Sequence, residues 1–315
     1  MKSLSRRSFI EKTGQLACLL PLISFTPPFW SAPKSDNLAV NIFSKHLQFL
    51  NYKDAGEIAA EIGFSGIDLT VRRNGHVLPE LVKTDLPKAV KEIKEAGSTC
   101  NLITTSIESV TNPLDIDILK TAANVGIKYY RTNWYKYPKN KTMQQALKQY
   151  QSEIKKLGIL NKQLGLIGSY QNHAGTDIGS SFWEIKELLT TVDSNYFGTQ
   201  YDIRHAMVEG GFSWQNGLKL LYPHLKTIVL KDFKWARVNG KWQIINTPIG
   251  KGMVDFNSYF KLLKTYQLQP PVSLHLEYDL GGAQSGKSKI SIDKKLVFEA
   301  MKKDLSAVQK LWRKA

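Results

Sequence analysis

Short apolar runs alternate with longer stretches of helical period from residue 38 to the end of the chain. The runs at Leu38–Phe43, Gly66–Val71, Thr99–Thr105, Tyr129–Thr132, Leu164–Tyr170, Gly198–Tyr201, Lys226–Leu230 and Val272–Glu277 predict eight strands. Between them the periodicity predicts helices near 52–62, 85–96, 115–124, 142–163, 180–192, 213–221, 255–266 and 293–313. Capping residues support several starts: Asp85 before Pro87, Thr142 before the longest amphipathic run, Asp255 before Phe256 and Asp293 before the last helix. Eight βα units in about 280 residues is the count and size of an α/β fold of one kind, a single closed (β/α)8 TIM barrel. A doubly wound open sheet normally has fewer strands, and no glycine-rich phosphate loop follows any strand here.

The first residues fall outside this pattern. Ser-Arg-Arg-Ser-Phe-Ile-Glu-Lys at 5–12, then an apolar stretch from Leu16 to Phe25 and Pro27-Pro28, reads as a twin-arginine export signal too short to span a bilayer. We therefore expect residues 1–32 to be a removable signal peptide, 33–315 to be the barrel, and the mature protein to work in the periplasm. Cys18 leaves with the signal, so Cys100 stands alone and stability must come from packing rather than a disulfide.

The formal charge is +16, and residues 1–32 hold Lys2, Arg6, Arg7 and Lys12 against Glu11, which leaves +13. Runs such as Lys148, Lys155, Lys156 and Lys162, or Lys302, Lys303, Lys310 and Arg313, read as solvated helix faces. Basic and aromatic residues do not converge as a nucleic-acid surface requires, and nothing after Pro33 is apolar for long enough to cross a membrane. A small molecule is the expected partner, and the positive balance is compatible with attraction to acidic sugars or to an anionic membrane surface. No oligomeric state follows from the pattern.

In such a barrel the active site lies at the carboxyl ends of the strands. The candidate acids and bases there are Glu277, His205, Lys231, His173 and Glu108, and the candidate substrate-binding residues are Asp68, Arg72, His76, Arg131, Asn172 and Gln171. Asn133 and Asp232 stand at strand ends as well, and His275 shares a strand face with Glu277 by the two-residue period. Bland roles compete with these. Asp68 would serve as a rim acceptor for backbone amides and His76 as an exposed loop residue. His46, His224, Trp134, Trp183 and Trp214 read as packing, although an aromatic wall suits a sugar ring. Lys231 closes an apolar strand, an improbable place for a solvated surface lysine.

Five segments carry a resemblance: Gly-Phe-Ser-Gly-Ile-Asp-Leu at 63–69, Tyr-Gln-Asn-His-Ala-Gly at 170–175, Tyr-Asp-Ile-Arg-His-Ala at 201–206, Leu-Lys-Asp at 230–232 and His-Leu-Glu-Tyr-Asp at 275–279. Over essentially the whole mature chain they resemble the sugar phosphate isomerase/epimerase family, the xylose isomerase-like TIM barrels, in an exported, Bacteroidetes-type form. The resemblance implies a divalent metal (manganese, zinc, cobalt or magnesium) on Glu, Asp, His and Glu from the fifth to eighth strands, and no nucleotide cofactor. Asp202 and Glu277 match, and His205 matches the histidine that follows the Asp. Gln171 stands where Glu is usual and Val229 where His is usual. Either a modified site survives on Asp202, Glu277 and Gln171 with help from His173 or His275, or the metal is lost and Lys231 supplies the positive charge.

The family's shared step, carried over on the same resemblance, is removal of a proton next to a carbonyl, with the enediolate oxygen held by a cation. Glu277 with His205, or Glu108 with His173, would serve as acid and base. Phosphorylated sugars are cytoplasmic, so export points to an unphosphorylated sugar, keto-sugar or glycoside. The expected activity is that of a sugar isomerase or epimerase. The alternatives are elimination at a 3-keto-glycoside on the same barrel and a non-catalytic periplasmic sugar-binding protein. A related barrel family that cuts DNA at abasic sites needs many His and Glu ligands, and this chain has six His.

Overall fold

The structure, a computed structural model, describes residues 37–315, so the expected signal at 1–32 lies outside the described residues. Its strands are β1 (Val40–Phe43), β2 (Gly66–Val71), β3 (Leu102–Thr105), β4 (Tyr129–Arg131), β5 (Ile167–Gln171), β6 (Phe197–Asp202), β7 (Leu225–Leu230), β8 (Asp232–Val238), β9 (Lys241–Thr247) and β10 (Val272–Leu274). All but β8 and β9 close into a parallel barrel in the order β1-β10-β7-β6-β5-β4-β3-β2. Almost every barrel-strand residue is buried, as expected of a parallel sheet covered on both faces. The eight expected strands are all present. Gly198 has a local reason: a Cβ there would collide with the His224 carbonyl, beside the register shift at Thr199/Gln200 between β6 and β7.

The outer layer is α1 (Tyr52–Ile62), α2 (Val82–Glu95), α3 (Pro113–Asn124), α4 (Met143–Leu164), α5 (Phe182–Leu188), α6 (Ile203–Gly210), α7 (Trp214–Leu221), α8 (Phe256–Thr265) and α9 (Lys294–Lys314). In α9 the buried Val297, Met301, Leu305, Val308 and Trp312 recur every three or four residues, while Lys302, Lys303 and Lys310 are exposed. The basic runs are indeed solvated helix faces. Thr142 forms a capping box with Gln145, and Asp255 and Asp293 accept backbone N–H bonds at their helix starts. Asp85 caps nothing. The helix starts earlier, at Val82, because Val82 and Leu86 pack inward, and Asp85 and Pro87 fall inside its first turns.

Two elements depart from the sequence pattern. Helix α6 begins directly after its cap Asp202, in a stretch where no helix was predicted, and the glycines at 210 and 211 separate it from α7. After β7 the chain forms an antiparallel hairpin, β8 and β9, closed by Asn239-Gly240 with φ of 50° and 78°. That pair is the sequence signature of a type I′ hairpin turn. Strand β10 stops at Leu274 because β7 ends alongside it. His275 N–H makes a last bond to the Leu230 carbonyl, and Leu276 N–H turns to His46 Nε2 at 2.9 Å.

Candidate active site

The site grows out of the end of β6. Asp202 is the N-cap of α6, and its Oδ1 accepts the His205 backbone N–H at 3.0 Å. This spacing brings His205 back over the strand end. Asn172 clamps Asp202 from the neighbouring strand, accepting its N–H at 2.7 Å and donating to its carbonyl at 2.9 Å. Lys231 emerges where β7 ends. Its Nζ lies 3.1 Å from Asp202 Oδ2, 2.8 Å from His205 Nε2 and 3.7 Å from Glu277 Oε1. Gln171 Nε2 donates to the same Asp202 Oδ2 at 2.8 Å, and Lys45 reaches Glu277 Oε1 at 3.4 Å.

Burial favours the neutral form of each ionisable group here, and the neighbours decide how far. For Glu277, burial alone would push the carboxyl up, but Lys231, His275 and Lys45 together hold it well below the usual carboxylate range. Burial and then Lys231 hold His205 well below the ordinary histidine value, and the same two causes lower His173. His275 is pulled down by burial to about 3, against the contrary pull of Glu277. Neutral imidazoles thus surround an ionised carboxylate.

Hydrogen bonds hold the rings in place. Ser273 Oγ donates to Asp68 at 2.5 Å and lies 3.1 Å from His275 Nε2. His275 Nε2 therefore shares the serine oxygen, and its Nδ1 faces Glu277. That Nδ1 sits 3.6 Å from Glu277 Oε1 and has no hydrogen-bond partner among the described residues. His173 Nδ1 lies 2.8 Å from the Ala174 carbonyl, which places its lone pair on Nε2. Its ring packs 4.0 Å from that of His205 and 4.4 Å from Trp134.

A cavity of about 90 Å3 opens over this cluster. Of the residues expected at the site, Arg72, Arg131, Gln171, His173, Lys231, His275 and Glu277 line it. His205 and Asp202 lie beneath, against Lys231. Phe43 and Lys45 also line it and escape the sequence pattern, and Trp134, read as packing, lines it too. Phe43 stacks on His275 at 4.1 Å, and Arg131 lies 4.2 Å over the Trp134 ring. Lys45 had a signal to find it by, since it stands two residues past the end of β1. Arg204 and Asn246 escape as well: Arg204 Nη2 donates to Asn246 Oδ1 at 2.8 Å, and Asn246 Nδ2 donates to the Glu277 carbonyl.

Four expected residues are not brought to the cavity. Glu108 is exposed and its carboxylate accepts from Asn133 at 2.5 Å, because Asp115 and Tyr135 hold its backbone and turn the side chain outward. His76 lines a separate surface cavity with Tyr52, and its Nε2 lies 3.2 Å from the Leu50 carbonyl. Asn172 is spent on the Asp202 backbone. Asp68 is wholly buried in the barrel interior, bonded to Thr104 and Ser273 rather than to rim amides, and burial raises it to about 6. Asp232 collects the backbone N–H groups of Phe233, Gly250, Gly252 and Val254. His46 and Trp214 are buried packing residues, as expected, whereas Trp183 is 73% exposed.

The donors as placed do not fit a divalent ion. Asp202 Oδ2 is taken by Lys231 and Gln171, Gln171 presents its amide nitrogen, and Val229 offers nothing. An ammonium nitrogen stands between Asp202, His205 and Glu277. Among the described residues no group of three or more His, Cys, Asp or Glu is set to hold a metal ion.

Comparison with known proteins agrees on the architecture. The probable 3-DHS dehydratase AsbF of Bacillus anthracis superposes with a TM-score of 0.63 at 16% identity, over 85% of this chain and 99% of that one. The 3-keto-D-glucoside 4-epimerase YcjR of E. coli gives 0.60 at 13%, over 84% and 97%. A xylose isomerase-like TIM barrel protein from Mycobacterium smegmatis, in complex with magnesium, gives 0.60 at 12%, over 85% and 98%. At such identities the likeness is one of fold. No curated protein sequence matches the chain. The family pattern described as xylose isomerase-like TIM barrel matches residues 57–294, from α1 to the start of α9. With its closed eight-stranded parallel barrel and its polar cluster at the carboxyl ends of the strands, the chain belongs to the xylose isomerase-like TIM barrel family.

Proposed function

We propose that the protein is an exported enzyme of the sugar isomerase or epimerase type, which removes a proton next to the carbonyl of an unphosphorylated sugar or keto-sugar. In this reading the Lys231 ammonium takes the place of the family's metal ion. The observation that carries it is Lys231 Nζ among Asp202, His205 and Glu277, at 3.1, 2.8 and 3.7 Å. An ammonium held there stabilises the oxygen on which negative charge develops, in a cavity where burial strengthens the interaction. Glu277, kept ionised, is the base. Lys45, Lys231 and His275 all approach its Oε1, and Oε2 makes no hydrogen bond or ion pair among the described residues. His275 Nδ1 faces the same carboxylate at 3.6 Å. His173 Nε2 returns or accepts a proton on the other side, and Asp202 holds Lys231 in position.

Loss of the proton followed by its return on the other face is epimerisation, and return at the neighbouring carbon is isomerisation. If the group β to the carbonyl leaves instead, the same first step becomes an elimination. The dehydratase among the structural neighbours favours keeping that outcome in the test. In deuterated water, isomerisation or epimerisation introduces deuterium into a sugar that keeps its aglycone, whereas elimination releases the aglycone and leaves an unsaturated keto-sugar. Glu277→Gln should lower either rate on the order of a hundredfold or more. A protein that binds sugars yet gives neither exchange nor release across a panel of keto-sugars and glycosides would be a binding protein.

A further inference from the structure

Four cationic side chains line the cavity, and only two of them are matched. Lys231 faces Asp202 and Glu277, and Lys45 faces Glu277. Arg72 and Arg131 have no carboxylate within ion-pair distance among the described residues. Arg131 is 3% exposed and spends one of its five N–H donors, at 2.8 Å on the Thr132 carbonyl. Arg72 makes no side-chain hydrogen bond among the described residues and lies 5.5 Å over the Phe43 ring. Asp68 acts on both guanidinium groups electrostatically, but its oxygens are committed to Thr104 and Ser273.

Two guanidinium groups with only the already bonded Asp68 and the shared Glu277 acting on them from a distance leave the cavity with excess positive charge, which an anion entering beside them relieves. Burial and the nearby Arg72 lower Arg131 to about 9, the direction expected of a cation that lacks its partner. Both lie over aromatic rings, Arg131 at 4.2 Å from Trp134 and Arg72 at 5.5 Å from Phe43. A planar, two-oxygen anion matches a guanidinium fork, and it must belong to the molecule that also meets Lys231 and Glu277. We infer that the substrate is a sugar acid, its carboxylate held by Arg72 and Arg131 while Lys231 meets the oxygen of the reacting carbonyl. The inference rests on the proposed proton-abstraction chemistry for its second half only; the anion site stands on the arginines.

Titration calorimetry on the mature protein separates the two. The probes are glucuronate and galacturonate, their neutral parents glucose and galactose, glucose 6-phosphate and inorganic phosphate. The uronates should bind about ten- to a hundredfold more tightly than the neutral sugars, the span expected of charge-assisted bonds. Arg72→Gln, at a half-buried position, should lower the ratio of uronate to neutral-sugar affinity most of the way to one. Arg131→Lys keeps the charge, loses the fork and should lower the same ratio. Equal affinity for acid and neutral sugars, or a preference that survives both substitutions, would overturn the inference, as would phosphate or glucose 6-phosphate binding as well as the uronates. A preference without deuterium exchange on the bound uronate would leave the anion site standing and remove the proton chemistry. Exchange on neutral keto-sugars without any uronate preference would do the reverse.

Discussion

Glu277 is set by its neighbours more than by its own chemistry. Lys45 is one of three groups that depress Glu277, so Lys45→Met should raise that carboxyl toward its ordinary value. The acid limb of kcat/KM should then move to higher pH in the variant, and a pH profile checks it. Asp68 makes a stability prediction with a definite sign. Its folded value is about 6 against an unfolded value near 4, so the folded protein holds that proton to higher pH than the unfolded chain. The stability it contributes is fully present below about pH 4 and is lost as pH rises through about 6. Asp68→Asn abolishes the titration, so its unfolding free energy relative to the parent should rise by about 2–3 kcal/mol between pH 4 and pH 7. Urea unfolding at both pH values measures this, and a pH-independent difference would contradict it. Much of the site was legible in sequence because polar residues at strand ends in this fold point into one mouth. Glu108 misled because Asp115 and Tyr135, remote from it in the pattern, turn its loop outward. Lys45 was missed because the strand-end reading began at the second strand.

Helices and barrel strands were legible for a simple reason: apolar period is a local signal, and each βα unit repeats it. The hairpin was not, because β8 and β9 are largely solvated and lack a clean apolar alternation, although Asn239-Gly240 marked its turn. Helix α6 was hidden because it lasts eight residues and its cap, Asp202, drew notice as a ligand instead. Gly240 sits at φ 78°, where a side chain costs about 1–2 kcal/mol. Gly240→Ala should therefore lower the midpoint of thermal unfolding by a few degrees and leave the barrel intact. Asn246→Ala cuts the bond from β9 to the Glu277 carbonyl and its contact with Arg204. It should raise KM with little change in the melting temperature, as steady-state kinetics beside calorimetry would show.

For the whole molecule, eight alternating units sufficed to foresee the closed barrel, because loop entropy and strand pairing leave few other ways to bury eight parallel strands. The export expectation rests on Arg6 and Arg7 with Phe9. Replacing both arginines by Lys should leave uncleaved precursor in the cytoplasm, and fractionation would read this directly; periplasmic delivery of the double variant would end the expectation. The feature that joins residue, element and barrel is the Lys231 ammonium among Asp202, His205 and Glu277. Its test is solvent deuterium exchange into a turned-over keto-sugar, run with the parent and with Lys231→Met, each with and without a strong chelator. We expect the parent to exchange at the same rate in chelator, and Lys231→Met to lose on the order of a hundredfold or more while remaining folded. Exchange that collapses in chelator and returns with added metal, or that is untouched by Lys231→Met, would contradict the assignment.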